Sequence, residues 1–506
     1  MLLDNPTFVT FSVYIVAMLA IGWLGYRATR NLSDYILGGR RLGSFVTALS
    51  AGSSDMSGWL LLGLPGAIFI GGLSGIWIAI GLAVGAWLNW RFVAARLRVY
   101  TEACGNALTL PEFLTRRFED RNNVLRIVTA LVILVFFTIY CASGVVAGAR
   151  LFESMFDMPY RTALWIGALA TIAYVFIGGF LAVSWTDTVQ ASLMFAALLV
   201  TPLTVLSVDG GLGAATAAVE AVKPAHTALF GELSAMGVIS MLAWGFGYFG
   251  QPHILVRFMA AKSVAAIPRA RQICMTWMLL CLSGAVAVGF FGLAYFSGRP
   301  AQGESVFANP ETVFIALATQ LFAPWIAGIL LAAILAAVMS TLSCQLLVCA
   351  SALTEDIFKT FVKRDATQGQ LVWIGRAMVL AVAAIAIVLA FDPNSRVLGM
   401  VSYAWAGFGA AFGPLILLSL TWRGVTRNGA LAGIVVGAVT VLVWKQYGWF
   451  DLYEILPGFA LGTLAVVAGS RVGPAPSPTM LQVFNSVNAT VQETEATPTL
   501  APVGRL

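Results

Sequence analysis

The chain reads as an all-α protein that crosses a membrane many times. Two observations predict this class. Apolar residues make up 59% of the sequence and charged residues only 10%, whereas soluble domains carry about 25% charge. Apolar runs of helical length also recur from one end to the other, and the mean hydropathy is +0.88.

Taken in order, the runs predict thirteen spans. They lie at Phe8–Tyr26, Leu42–Ile70, Ile76–Trp90, Val124–Ala149, Ala163–Phe180, Val189–Leu206, Ala235–Ile254, Met275–Phe296, Phe322–Leu353, Trp373–Ala390, Leu398–Thr421, Leu431–Trp444 and Tyr453–Gly469. The shorter ones need flanking residues to reach the roughly 20 that a bilayer requires. The first ten residues hold Asp4 and no Lys or Arg, so the first span is expected to be a retained helix rather than a cleavable signal.

Charge sorting supports the count. With the amino terminus outside, 23 of the 29 basic residues fall on the inner side, from Arg27 and Arg30 through Arg257 to Arg471 and Arg505, and 6 stay outside. That asymmetry follows the positive-inside rule and predicts an inner carboxyl terminus. It also accounts for the net charge of +6 without a nucleic-acid partner; membrane lipid is the expected surrounding. Six cysteines lack metal-knuckle or disulfide-framework spacing, and two histidines argue against a haem or zinc enzyme. The inner segments 91–123 and 354–370 are long and polar, and Leu110-Pro111-Glu112 reads as the start of a short interfacial helix. The tail from Arg471 to Leu506, rich in Pro and Thr, is expected to be disordered and too short for a catalytic domain.

The span Leu42–Ile70 contains LSAGSSDMSGWLLLGLPG, from Leu49 to Gly66. Asp55 with Ser53, Ser54 and Ser57 at mid-depth makes a poor lipid-facing helix, and an intramembrane acid marks a functional site by default. The small residues around it favour a helix that stops and restarts, freeing backbone groups for ligands. Asp55 can cap that break, balance a cation or receive an amine. Trp59, one turn on, can pave a small apolar pocket; Trp77 lies near a helix end, where aromatics anchor at the interface.

A second break is expected at AWGFGYFGQP, from Ala243 to Pro252, because Gly245, Gly247, Gly250 and Pro252 cannot sustain one helix. Trp244 and Tyr248 would share a face if that stretch is helical, placing two rings around a proline-sized ligand. The breaks lie about 190 residues apart, each opening a set of five spans. An odd number of spans per set inverts the second against the first, the signature of an inverted-repeat secondary transporter. Ser340 and Thr341, in LAAVMSTLS, offer hydroxyl oxygens that can bond back to their own helix or join backbone carbonyls at Ser53 and Met56 around a Na+. Tyr140 lines a cavity or simply packs. Asp187 caps a helix or serves an inner gate with Arg40 as a candidate partner. The Gly-x-x-x-Gly pairs Gly81/Gly85 and Gly433/Gly437 fit close helix packing.

These stretches, together with YILGGRRLGSFVTALSAGSSDMSGWLLLGLPGA, IYCASGVVAGARLFE, FIGGFLAVSWTDTVQASLM, WGFGYFGQPHILVRFMA and SYAWAGFGAAFGP, closely resemble the sodium:solute symporter family, and within it the bacterial proline-carrying branch. The resemblance spans nearly the whole chain except the tail. It implies a cytoplasmic-membrane symporter that imports L-proline with Na+ as coupling ion and no organic cofactor, expected to work as a monomer and not as an enzyme. It implies an extra helix with the first inner loop over 1–41, a first repeat over 42–207, an outer connection over 208–231 and a second repeat over 232–421. Two further helices over 422–470 and the cytoplasmic tail 471–506 follow. By its motifs the Ser53, Met56 and Ala337 carbonyls and the Ser340 and Thr341 hydroxyls match the family's sodium site. Asp55 matches an acid needed for tight coupling, and Ser57, Gly58, Trp59, Tyr140, Trp244, Tyr248 and Pro252 match the substrate region. Ser53 stands where proline-carrying members commonly have alanine, a change that a backbone ligand should tolerate. Rival readings on the residues are a symporter for another small solute, a proton-coupled carrier titrating Asp55, and a membrane sensor. A sensor would normally need a larger cytoplasmic domain.

Overall fold

The computed structural model describes residues 6–29, 31–177 and 179–496. The expectations for Asp4, Arg30, Gly178 and Arg505 fall outside them. Among the described residues the regular elements are helical, apart from one isolated parallel bridge between Leu42 and Ala261. In chain order they are α1 (Pro6–Ala28), α2 (Leu32–Leu37), α3 (Ser44–Asp55), α4 (Leu64–Gly71), α5 (Ile76–Asn89), α6 (Ala95–Ala103), α7 (Leu110–Arg117), α8 (Val124–Phe156), α9 (Tyr160–Ile177), α10 (Phe180–Val208) and α11 (Leu212–Val222). Then follow α12 (Ala235–Leu242), α13 (Pro252–Ala260), α14 (Ile267–Ser297), α15 (Glu304–Ala308), α16 (Val313–Leu321), α17 (Pro324–Ser351), α18 (Gln368–Leu389), α19 (Val397–Thr421), α20 (Arg427–Tyr447), α21 (Ile455–Arg471) and α22 (Pro478–Ala496).

Nine stretches among the described residues are long and apolar enough to cross a membrane. The run expected at Leu42–Ile70 is divided: α3 stops at Asp55 and the chain resumes as a π-helical turn, Trp59–Gly63, leading into α4. The run at Ala235–Ile254 is divided too, since α12 passes into a 3₁₀ segment, Ala243–Gly250, before α13 restarts at Pro252. Proline suits that restart because its missing N–H is an orphan of the first turn in any case.

α17 lies at the centre, buried over nearly all of its apolar window. It packs against α8 and α10, while α3 packs on α10, α13 and α14. α19 covers the 3₁₀ segment and continues onto α8 and the α20–α21 pair. Two backbone hydrogen bonds pin the start of α3 to the end of α13: Leu42 N–H donates to Ala260 (3.3 Å) and Lys262 N–H donates to Leu42 (2.9 Å).

The polar inner segment after α17 begins by continuing the helix through Ala352–Val362 with π-type turns. One expectation needs correction. The tail expected to be disordered holds α22, which packs on α6. Met480, Phe484, Val487 and Val491 recur at helical spacing and are buried there. A four-residue apolar stripe provides the docking face that Pro- and Thr-rich composition concealed.

Candidate ion and substrate site at two helix breaks

α3 ends because its last turn has little to hold it in lipid: Ser53, Ser54 and Asp55 are all buried, and Met56 leaves helical geometry at φ −85°, ψ 81°. The Met56 N–H still reaches Gly52 (3.0 Å), and Ser57 N–H turns back to Asp55 (3.0 Å). The Trp59 indole N–H donates to the Asp55 carbonyl at 3.1 Å, capping one of the carbonyls that a helix end leaves unpaired. Gly58 is a packing requirement, since a Cβ there would lie 2.6 Å from the Ala147 Cβ on α8.

α17 meets this break from the other side. The Ser340 hydroxyl lies 2.9 Å from the Ser53 carbonyl oxygen and 3.0 Å from its own Ala337 carbonyl oxygen, and can donate to either, while the Thr341 hydroxyl lies 3.3 Å from the same Ser53 oxygen. Four neutral oxygens from two non-adjacent elements therefore share one small volume, the donor chemistry that suits a hard cation. Ser53 contributes its backbone oxygen, and its own hydroxyl is buried without a partner. Met56 is buried at the break itself.

At the level of Asp55 the second break faces the first through a side-chain bond. Tyr248 O–H donates to Asp55 Oδ2 in a short hydrogen bond, which leaves Asp55 Oδ1 buried and unpartnered. The Tyr140 hydroxyl, beside Ser57 and Trp59, is buried without a hydrogen-bond partner, as are both ring nitrogens of His253 and Gln251 Oε1. Tyr140 and His253 meet edge-on, with ring centroids 6.0 Å apart. Buried polar atoms are normally paired. A concentration of orphaned ones where two breaks meet marks a place built to receive polar ligand groups or water.

Trp244 and Tyr248 do not share a face. In a 3₁₀ turn of three residues, a spacing of four rotates one ring away from the other. Tyr248 packs edge-on against Trp405 (5.1 Å, 84°), while Trp244 lies against Tyr453 (5.3 Å). Trp405 from α19 joins them, its indole N–H donating to the Trp244 carbonyl at 2.8 Å. Gly247 is obligatory beneath that indole, where a Cβ would fall 1.8 Å from its nitrogen. Gln251 Nε2 donates to the Gly247 and Trp405 carbonyls, both at 3.2 Å. Pro252 sits apart from the aromatic groups, on a small cavity shared with Phe180 and Arg257.

The gate candidates separate. Arg40 donates to Thr101 Oγ1 (3.1 Å), the Met259 carbonyl (2.6 Å) and the Ala107 carbonyl (3.0 Å), so these bonds tie α6 to α13 and leave out Asp187. Arg257 is the partner that sequence reasoning missed. Both it and Asp187 are wholly buried, 3.5 Å apart. Ser50 O–H donates to Asp187 (2.6 Å), and Arg257 donates to Ser50 (3.2 Å), to the His253 carbonyl (3.1 Å) and, in a short contact, to Cys344. Its guanidinium also lies over the Phe180 ring. Four helices, α3, α10, α13 and α17, are thereby held by one cation.

The model of the sodium:solute symporter family matches residues 35–437, most of the chain and both breaks. The chain belongs to the sodium:solute symporter family. It is 63% identical over 489 residues to the sodium/proline symporter of Salmonella typhimurium, covering 97% of each chain. It is 62% identical over the same length to that of Escherichia coli, again with 97% coverage of each. Its fold is also similar to that of a solved Na+-coupled sialic acid symporter, with a TM-score of 0.79 at 18% identity over 93% of this chain and 98% of the other. As a symporter of this family it is a transporter and not an enzyme, and its all-helical architecture with interrupted helices is that of the family. Among the described residues no cluster of three or more His, Cys, Asp or Glu side chains is present. The neutral-oxygen cluster at α3 and α17 is the arrangement on offer to a cation.

Proposed function

We propose that this chain imports L-proline into a bacterial cell on the inward flow of Na+, by alternating access. The observation that carries this reading is the meeting of the Ser53 and Ala337 carbonyls with the Ser340 and Thr341 hydroxyls at a broken membrane helix. Sodium/proline symporters more than 60% identical over nearly the full length supply the solute. Na+ and proline are both cargo, and no organic cofactor takes part.

The Met56 carbonyl completes the ion's oxygens. Ser57, Gly58, Trp59, Tyr140 and Tyr248 surround the imino acid, with Trp244 and Pro252 shaping the break behind it. Asp55, bound to Tyr248, couples the ion at the first break to the solute at the second. Asp187 serves the inner gate through Arg257, and Arg40 steadies that side. Na+ entering from outside favours an ordered pocket; proline then closes the outer face, and opening of the inner face releases both. Each ligand must bind better when the other is present, and the membrane potential adds about 2.3 kcal/mol per charge for every 100 mV.

The finer architecture belongs to the same reading. Thirteen spans place the amino terminus outside and the carboxyl terminus in the cytoplasm of a cell bounded by an inner membrane. Repeats over 42–207 and 232–421 are inverted, 1–41 and 422–470 flank them, 208–231 connects them outside, and one copy suffices for transport. Support comes from the two breaks, each opening five runs, and from the basic residues gathered on one side.

The test is uptake of radiolabelled L-proline into proteoliposomes under an imposed Na+ gradient. Accumulation that requires Na+ and is unaffected by a pH gradient alone is expected. Accumulation driven by the pH gradient without Na+ would move the coupling to a proton on Asp55, and no accumulation under either gradient would overturn the reading.

A further inference from the structure

A second polar cavity lies away from the two breaks. It has a volume of about 370 Å³ and opens where α1, α2 and α18 come together, between Tyr26, Arg27, Asn31, Tyr35, Trp373 and Arg376. Among the described residues its lining contains two arginines and no acid. α1 and α18 are both apolar spans, so a pocket at the last turn of one and the first turns of the other sits at the membrane–water boundary.

The aromatic groups around it mark the same level. Trp23, Tyr26 and Trp373 are all exposed, as amphipathic rings are at headgroup depth. Trp23 and Tyr26 stack with ring centroids 5.5 Å apart. Arg27 lies over Trp23 at 5.7 Å, and Arg376 lies over Tyr26 at 5.3 Å and over Trp373 at 5.0 Å. These contacts hold both guanidiniums by their faces, and the N–H edges of Arg27 remain available to an oxyanion.

Tyr35 supplies an independent observation. Its ring is 3% exposed, its hydroxyl is buried without a hydrogen-bond partner, and it lines the cavity. Burial pushes its phenol up to about 12, against the opposing charge of Arg376, so it remains a neutral donor. α2 is fixed in place by its neighbours, with Asn31 accepting the Asp34 N–H at its start (2.9 Å) and Leu32 N–H donating to Gln368 on α18 (3.1 Å).

We propose that this cavity binds the phosphate-bearing headgroup of an anionic membrane phospholipid. Arg27 and Arg376 provide charge, Tyr35 provides a buried O–H donor, and the Trp23–Tyr26–Trp373 belt receives the glycerol and upper acyl region. Basic pockets between spans on the cytoplasmic side recognise such headgroups, and placing this one on the cytoplasmic leaflet rests on the orientation given under Proposed function. The site is separate from the ion and proline groups and would couple lipid to the first span and α18.

Native mass spectrometry of the full chain in detergent, titrated with phosphatidylglycerol, phosphatidylethanolamine or inorganic phosphate, tests the assignment. The wild type is expected to retain phosphatidylglycerol in preference to phosphatidylethanolamine. Arg27→Gln and Tyr35→Phe should each reduce that preference and together abolish it, while Arg27→Lys keeps part of it. Both variants should still accumulate proline in proteoliposomes, which shows that they fold. Equal retention of the two lipids by the wild type, or a preference that survives the double substitution, would overturn the proposal. So would displacement of phosphatidylglycerol by an equal concentration of inorganic phosphate, which would assign the cavity to a soluble anion. Retention is read in detergent, independently of orientation and of uptake, so failure of the transport reading would appear separately as absent wild-type accumulation.

Discussion

The two breaks resemble each other in sequence and differ in what they do with their backbone. At the first, the Ser53 carbonyl meets hydroxyls from α17, groups that can rotate their hydrogens away when a cation arrives. At the second, the Trp244 and Gly247 carbonyls are held by N–H donors from Trp405 and Gln251, which cannot become acceptors. A carbonyl met by hydroxyls can exchange its partners for an ion; a carbonyl held by N–H groups is fixed in place. The first therefore suits coordination and the second suits a rigid wall for the solute. Arg257 and Tyr248 join the two, one beneath Ser50 and the other on Asp55.

The largest expected effect comes from cutting the deeper joint. Arg257→Gln leaves Asp187 buried without its cation, and breaking a buried pair in this way costs about 3–5 kcal/mol. A lowered thermal midpoint and lost uptake should follow. Asp187→Asn added to it should recover part of the stability, and a single variant as stable as the wild type would show that the four helices do not depend on this ion pair. Next comes Tyr248→Phe, which removes the bond between the breaks. The loss of a hydrogen bond to a charged group costs about 1.5–3 kcal/mol, so proline affinity should fall about tenfold or more in equilibrium binding. Unchanged affinity would separate Asp55 from the solute.

Gly247→Ala tests the rigid wall. Its methyl group would collide with the Trp405 indole, and such overpacking costs about 1–3 kcal/mol. Proline affinity should weaken while the Na+ dependence of uptake stays where it was; a shift in Na+ dependence alone would contradict the division of roles. The smallest effect belongs to Ser53→Ala. It retains the carbonyl and removes an unpartnered hydroxyl, so the Na+ requirement should change by no more than about twofold, well under the value of one hydrogen bond to a charge. A large change would make the side chain, and not the backbone, the ligand.

Much of this was legible from residue types. Small and hydroxyl residues around Asp55 announced the first break, glycines and Pro252 announced the second, and the Ser340–Thr341 pair met Ser53 as expected. What escaped was geometry. α-Helical spacing pairs Trp244 with Tyr248, and the 3₁₀ segment turns them apart. Arg257 was counted among inner-side charges because a basic residue near the end of an apolar run looks like a boundary; only the packing of α10 against α3 and α17 brings Asp187 to it from 70 positions away. The apolar stripe of α22 was masked by polar composition, although its four buried positions keep helical spacing.

The central claim is that the hydroxyls of α17 complete an ion site at the first break and thereby control solute binding. Equilibrium binding of radiolabelled L-proline by the purified protein, titrated with Na+, tests it most directly in the wild type and in Ser340→Ala with Thr341→Ala. Two ligands to a cation are removed, each worth at least the roughly 1.5 kcal/mol of a charged hydrogen bond, so the Na+ concentration for half-maximal binding should rise by about a hundredfold or more. Superimposable titrations of the two proteins would contradict the account and place the coupling ion elsewhere.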